Sequence, residues 1–253
     1  MIIDAYTFCW NEEVRLPYFL RQWSPIARRI IIYDNGSTDK SREIALKYKN
    51  VVWDTVTYKN SNQINEPRLT YTKNNCWKQN RDADLCFVGD IDEFAYHPIG
   101  ISNFLHETYM SGFTLYRANG FEMVTSAPPK HDGLIWECED FKYGWQKPKD
   151  YNLNKTTIFS PKHIAEMNFD HGAQDPKPIG KIKWFSHDDF KLLHYKLIGK
   201  DYYLNKLSGA AKRLSIVNKQ HGWGVHYLEL REVQSKYFDE VYKNREKVVD
   251  SSM

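Results

Sequence analysis

Four times within the first 90 residues, an apolar run rich in β-branched and aromatic side chains stops abruptly on polar or acidic residues. The runs are "IIDAYTFCW" before "NEE", "RIIIY" before "DNGSTD", "VVWDTV" before an Asn-rich loop, and "DLCFV" before "GDIDEF". After each of the first three, helical spacing takes over. Leu16, Phe19, Leu20 and Trp23 share one helix face, and a second helix follows the turn signal Asn35-Gly36 with Ser37 or Thr38 as N-cap, ending before Asn50. Pro67 suits the first position of a third helix through "RLTYTKNNCWKQN". Strands alternating with helices predict a mostly parallel central α/β sheet, because a parallel pair needs a crossover and a helix supplies it. Ligands of such sheets sit at the carboxyl ends of the strands, so the polar stops are where function should be read.

The second half is patterned differently. "GFTLYRANGFEMV", "GLIWECEDF", "KTTIFSP" and "KIKWF" are short strand-like pieces between turns, predicting a smaller antiparallel extension of the same sheet. From Asp201 onward the spacing is helical, interrupted by "HGWGVHY". Trp223 there reads either as an aromatic on a glycine-hinged lid or as the plug of a helix-helix turn. No repeat or linker divides the 253 residues, a length that suits one domain with a large core.

Charge and cysteine usage exclude several classes. The net charge is only +3, with no run of basic residues, which argues against nucleic acid as the main partner. "RIIIY" is far too short to span a bilayer and no charged leader precedes an apolar block, so a soluble, cytoplasmic protein is expected. Cys9, Cys76, Cys86 and Cys138 lack CxxC spacing, which disfavours zinc and a disulfide framework. The tail "KYFDEVYKNREKVV" is basic enough to touch an anionic surface at the inner face of a membrane, yet its Asp239, Glu240 and Glu246 also suit a solvated helix.

Asp90, Asp92 and Glu93 follow the fourth strand at once. Two aspartates one residue apart can turn toward one hard cation, which prefers oxygen ligands and commonly bridges to a diphosphate. A solvated acidic loop fits the same spacing. Without a cation, three such carboxylates should repel and raise one another's pKa. An aspartyl-phosphate phosphatase would want Thr or Val where Phe94 stands, and a dinucleotide site needs a Gly-rich turn that "CWNEE" lacks.

Taken in order, "YTFCWNEEVRLPYFLRQW", "RIIIYDNGSTDKS" and "VGDIDEFAY" resemble the nucleotide half of family-2-type glycosyltransferases with the GT-A fold, in the bacterial branch whose aspartate motif continues as "DEF". "NKTTIFSPKHIAEMNF" and "LLHYKLIGKDYYLNKLSGAAKRLS" resemble that branch more weakly. The resemblance implies a single domain with a nucleotide-binding half at 1–110, an acceptor half at 111–200 and C-terminal helices at 201–253. Trp10, with Asn11 and Glu12, would lie beside the nucleotide, and Asp34 would bond its base or ribose. Asp90 would reach the ribose or the waters of a Mn²⁺ or Mg²⁺ ion, and Asp92 would bind that ion. A third ligand is expected from His194, which is followed by Lys196 and Lys200, either suited to face phosphate, with His171 as rival; a lone histidine after an apolar run is also an ordinary structural residue.

The implied activity is a hexosyltransferase reaction of the kind used in polysaccharide biosynthesis. It would carry a sugar from a nucleotide donor, UDP-linked by preference, to a glycan or glycolipid with inversion. The base that inversion requires has no clean motif match. Asp170 or Asp175, flanking His171, is expected over Glu137, Glu139, Asp140, Asp188 and Asp189. The alternatives are a nucleotidyltransferase and a non-catalytic glycan-binding protein on the same fold.

Overall fold

The structure, a computed structural model, describes residues 1–56, 62–146, 153–173 and 175–250. Part of the expected Asn-rich loop after the third strand lies outside these residues. The first half runs β1 (Ile3–Cys9), α1 (Leu16–Trp23), β2 (Arg29–Asp34), α2 (Ser41–Ala45), β3 (Val51–Thr55), α3 (Glu66–Asn75), β4 (Leu85–Asp90), β5 (Glu93–Tyr96) and α4 (Ile101–Met110). The second half adds β6 (Leu115–Thr125), β7 (Tyr143–Trp145), β8 (Ile158–Phe159), β9 (Ile164–Glu166), β10 (Ile179–Gly180), β11 (Trp184–Ile198), α5 (Lys200–Arg213), α6 (Ile216–His221), α7 (Arg231–Lys243) and β12 (Glu246–Lys247).

The main sheet is ordered β12-β7-β6-β8-β4-β1-β2-β3, with β11 parallel to β6 and β5 antiparallel to β11. Strands β3, β2, β1, β4, β6 and β11 point the same way, while β8, β7 and β5 run against them. This is the expected mostly parallel α/β sheet flanked by helices, and β9 and β10 form the small antiparallel pair beside it. Both faces of the sheet are covered, which is why β1 is buried along nearly its whole length. On one face Phe19, Trp23, Phe87 and Phe94 interlock, with Trp23 and Phe87 centroids 4.7 Å apart. On the other, Trp77 meets Phe159 edge-on at 5.0 Å.

Several boundaries differ from the sequence reading, each for a local reason. Ser37 and Thr38 do not cap α2, because the first loop claims them: Asn11 N–H donates to Ser37 Oγ and Asn11 Oδ1 accepts the Thr38 N–H. Asp39 Oδ1 instead accepts the Ser41 N–H where the helix begins. Asn65 caps α3 by accepting the Arg68 N–H, which places Pro67 one position later than expected, and the helix stops before Cys76. "GLIWECEDF" is no strand but two 3₁₀ turns that push Ile135 and Phe141 into the core. "KIKWF" leads into the 15-residue β11, so His194 lies well inside a long strand rather than at the end of a short one. In "HGWGVHY" the glycines are needed: Gly222 and Gly224 both adopt left-handed backbone, at φ 74° and 72°.

Candidate active site

A cavity of about 550 Å³ opens where the carboxyl ends of β1 and β4 meet β11, α3 and the segment from α5 to residue 227. That size suits a small-molecule ligand. Its floor is the turn between β4 and β5. Ile91, 2% exposed, anchors that turn in the core and leaves Asp90 and Asp92 on the cavity wall. Gly89 is required just before it, since a Cβ there would come within 2.5 Å of the Phe87 ring. Glu93 points the other way, into the protein: its Oε2 accepts the Asp90 N–H and its Oε1 takes the Lys155 ammonium at 2.5 Å.

Each carboxylate of the turn has its own cation, which reverses the repulsion expected from sequence. Asp90 pairs with Lys73 at 3.0 Å, and Asp92 Oδ2 takes Arg15 Nη1 at 2.9 Å. Burial opposes ionisation of both, but Lys73 and Lys155 hold the Asp90 carboxyl below the usual range, and Arg15 and His194 hold that of Asp92 well below it. His194 sits in register between Glu122 on β6 and Glu93 on β5, and the register of β11 shifts just beyond it. Its Nδ1 lies 3.1 Å from Glu122 Oε1 and its Nε2 3.5 Å from Asp92 Oδ2. Burial alone would discharge the ring, but Glu122 and Asp92 outweigh it and push the pKa up to about 10.

Once Nε2 gives up its proton as a cation arrives, Asp92 and His194 offer an oxygen and a nitrogen 3.5 Å apart on one wall, a separation that metal bonds of about 2.1 Å can span. Glu122 stands behind the imidazole as the outer carboxylate that a ligating histidine usually has. Its two buried oxygens and His194 Nδ1 make no hydrogen bond, so their geometry is left to the ion contact between them. Among the described residues no three His, Cys, Asp or Glu side chains converge on one point, and Asp90 is turned to Lys73. The donor set therefore fits a dication as a two-residue site, completed by ligand oxygens and water, as hard cations at phosphate sites commonly are.

The first loop is knitted into the protein more tightly than a simple ligand loop. Asn11, at φ 52°, is committed to the 37–39 turn and is absent from the cavity wall. Glu12 is 9% exposed and holds Arg15 through two bonds of 2.7 and 2.8 Å and Lys206 through one of 2.7 Å. Trp10 does reach the wall, but Arg213 stacks on its ring at 3.7 Å, and α5 comes so near that a Cβ on Gly209 would lie 2.9 Å from it. Asp34 is 4% exposed and spends its carboxylate on the Gly36 and Ser37 N–H groups; Asn35 takes its place on the wall.

Neither Asp170 nor Asp175 lines the cavity. Asp175 faces solvent and pairs with Arg117 at 3.5 Å, and Asp170 Oδ1 accepts the Asp175 N–H at 3.4 Å. Their neighbours His171 and Gly172 do line it. His171 packs on Trp223 with centroids 3.7 Å apart, and His221 stacks on the same indole at 4.5 Å. Trp223 is thus a half-buried clasp over the cavity rather than a core plug. Glu139, Asp140, Asp188 and Asp189 are engaged elsewhere, with Lys142, Arg245, Asn119 and His187.

The residues that sequence reasoning missed are mostly cations. Six Lys and Arg side chains line the cavity against four Asp and Glu, an excess that favours an anionic ligand. Among the described residues Lys196 and Arg213 have no ion-pair partner. Arg213 is 8% exposed, and burial lowers its pKa to about 10 against the pull of Asp34. Arg15 had a visible signal, standing three residues after Glu12. Lys196 was marked by its place two residues after His194, whereas Lys73, Lys155, Lys206 and Arg213 come from separate elements and had no such signal.

No family model matches this chain, and none of the curated proteins does. Solved structures to which part of it is similar include glucosyl-3-phosphoglycerate synthase from Mycobacterium tuberculosis in complex with Mn²⁺, UDP and glucosyl-3-phosphoglycerate (18% identity, TM-score 0.33). The same enzyme with phosphoglyceric acid matches at 20% identity and a TM-score of 0.32. A mycobacterial protein matches at 19% and 0.33. Each match covers 48% of this chain and less than half of the other, 44%, 44% and 41% in turn. Likenesses this low and partial assign no reaction to it.

Proposed function

We propose that this chain is a metal-dependent glycosyltransferase that moves a sugar from a nucleotide donor, UDP-linked by preference, to a glycan or glycolipid acceptor with inversion. One observation carries the reading: the Asp92–His194 pair shares a cavity with Lys196 and Arg213, two cations that have no carboxylate partner among the described residues. An O/N pair for a dication beside unpaired cations is a receptor for a diphosphate.

A bound Mn²⁺ or Mg²⁺ ion would supply Lewis-acid stabilisation of the departing diphosphate. The remaining work belongs to side chains. Arg15 and Glu122 hold Asp92 and His194 in place. Lys196 and Arg213 face the phosphates and stabilise the charge that grows on them as the sugar leaves, in a cleft where fixed charges act strongly. Trp10 and Asn35 line the nucleoside end. Lys73 keeps Asp90 ionised and oriented toward the ribose side.

Inversion needs a carboxylate to take the acceptor proton. Glu66 alone of the four wall carboxylates has no cation within ion-pair distance among the described residues, and its Oε1 accepts the Gly172 N–H. We therefore assign the base to Glu66, with Asp170 and Asp175, which stand off the wall beside His171 and Gly172, as the alternatives. Nucleotide release from a panel of nucleotide sugars with Mn²⁺ tests the reading. Wild type should release UDP and Asp92→Asn should not; a protein inert to every donor would sink it. Among Glu66→Gln, Asp170→Asn and Asp175→Asn, the variant that loses kcat while retaining donor binding identifies the base.

A further inference from the structure

Sixteen large apolar side chains are exposed among the described residues, and six of them fall within residues 216–233: Ile216, Val217, Val225, Leu228, Leu230 and Val233. An even scatter, the ordinary condition of a protein surface, would leave about one there. The stretch comprises α6, a 3₁₀ turn at Val225–Leu228 and the start of α7. Asn218, Trp223, His226 and Tyr227 of the same stretch line the cavity. One side of the segment is thus cavity wall and the other is exposed aliphatic surface.

The segment is anchored to the body of the protein. Asn218, 1% exposed, accepts the Glu66 N–H, and Gln234 donates to the carbonyls of His226 and Tyr227. Charge gathers on the same surface. Outside the cavity, residues 212–236 expose four Lys and Arg against Glu229 and Glu232. Lys212, Lys219, Arg231 and Lys236 are exposed, and none forms an ion pair among the described residues. The C-terminal tail is a poorer candidate, since α7 turns Phe238 and Val241 into the protein.

We propose that the outer face of residues 216–233 docks on an anionic lipid bilayer, with Ile216, Leu228 and Leu230 in the interface and Lys219 and Arg231 on headgroup phosphates. Aliphatic side chains interleaved with unpaired cations are the chemistry of interfacial binding. A second copy of the chain fits less well, because a two-fold contact would set this cationic surface against itself. Docking would hold the segment that carries Trp223, and with it that edge of the cavity, close to the lipid surface. If the glycosyltransferase reading holds, the acceptor that reaches the cavity is lipid-linked; the docking itself does not depend on that reading.

Sedimentation of the full chain with phosphatidylcholine vesicles, with and without phosphatidylglycerol, tests the proposal without donor or metal. Binding should require the anionic lipid, weaken with salt, and fall about tenfold or more in Leu228→Glu/Leu230→Glu. Met110→Glu, at an exposed apolar site on α4, should bind as wild type does. Thermal melting and UDP affinity, read in parallel, report whether the double variant is folded and its site intact. The proposal is overturned if wild type ignores anionic vesicles, or if the folded double variant binds them undiminished. It also fails if wild type is a dimer that the double variant splits while vesicle binding is retained.

Discussion

Replacing Lys155 by Met breaks its ion pair with Glu93 beneath the Asp90–Asp92 turn, where the two side chains are 10% and 2% exposed and meet at 2.5 Å. Methionine keeps the length of the lysine stem and removes only the charge. Glu93 is then a buried carboxylate whose remaining contact is the Asp90 N–H. Deleting one partner of a buried pair costs about 3–5 kcal/mol. Proton uptake limits that cost: at pH 7 a carboxylic acid of ordinary pKa can be neutralised for about 3.7 kcal/mol, and at pH 5 for about 1 kcal/mol.

The variant should therefore lose about 3–4 kcal/mol at pH 7, roughly 10 °C in melting temperature for a chain of this size, and about 1 kcal/mol at pH 5. The sign follows from linkage. In the variant the folded-state pKa of the stranded carboxyl is raised, so the deficit is small at low pH and grows as pH rises above the unfolded value. Urea unfolding followed by fluorescence of the buried Trp23 and Trp77 reads it at both pH values. Lys155→Met/Glu93→Gln should recover most of the loss, since Gln still accepts the Asp90 N–H. A pH 7 loss under about 1 kcal/mol, a loss independent of pH, or no recovery in the double variant would refute the reasoning.

Arg213→Ala should weaken UDP about tenfold to a hundredfold in calorimetry, the worth of one charge-assisted hydrogen bond, and change the melting temperature little, because the lost bond to the Asn62 carbonyl and the lost stacking on Trp10 are offset by removing a buried cation without a carboxylate partner. Equal UDP affinity in the variant would take Arg213 out of the site. Gly120→Ala should cost about 2 kcal/mol or more, because its Cβ would meet the Leu153 carbonyl oxygen at 2.0 Å, backbone that cannot swing aside. A urea midpoint equal to that of wild type would contradict that packing.

The parallel half of the fold was legible because its cause is local. Apolar runs ending in polar loops and followed by helical spacing leave few other ways to bury the strands. The turn Asp90-Ile91-Asp92 was legible for the same reason, standing at the end of such a run. What encloses it was not. Lys73, Lys155 and Arg213 come from α3, the approach to β8 and the end of α5, and only tertiary packing brings them together. His194 could be picked out after its apolar run, but its partner Glu122 depends on the parallel register of β6 and β11, which no short-range pattern specifies. Asn11 and Asp34 were expected at the ligand and instead hold backbone N–H groups, a competing use to which short polar side chains are well suited.

The central claim is that Asp92 and His194 hold a dication against a nucleoside diphosphate in this cavity. Calorimetric titration of UDP with and without Mn²⁺, in wild type, Asp92→Asn and His194→Ala, tests it most directly. The account predicts that Mn²⁺ tightens UDP by about tenfold or more in wild type and that either substitution returns the affinity to its metal-free value. Wild-type protein that binds UDP no better with Mn²⁺ than without, or variants that keep the full enhancement, would contradict it.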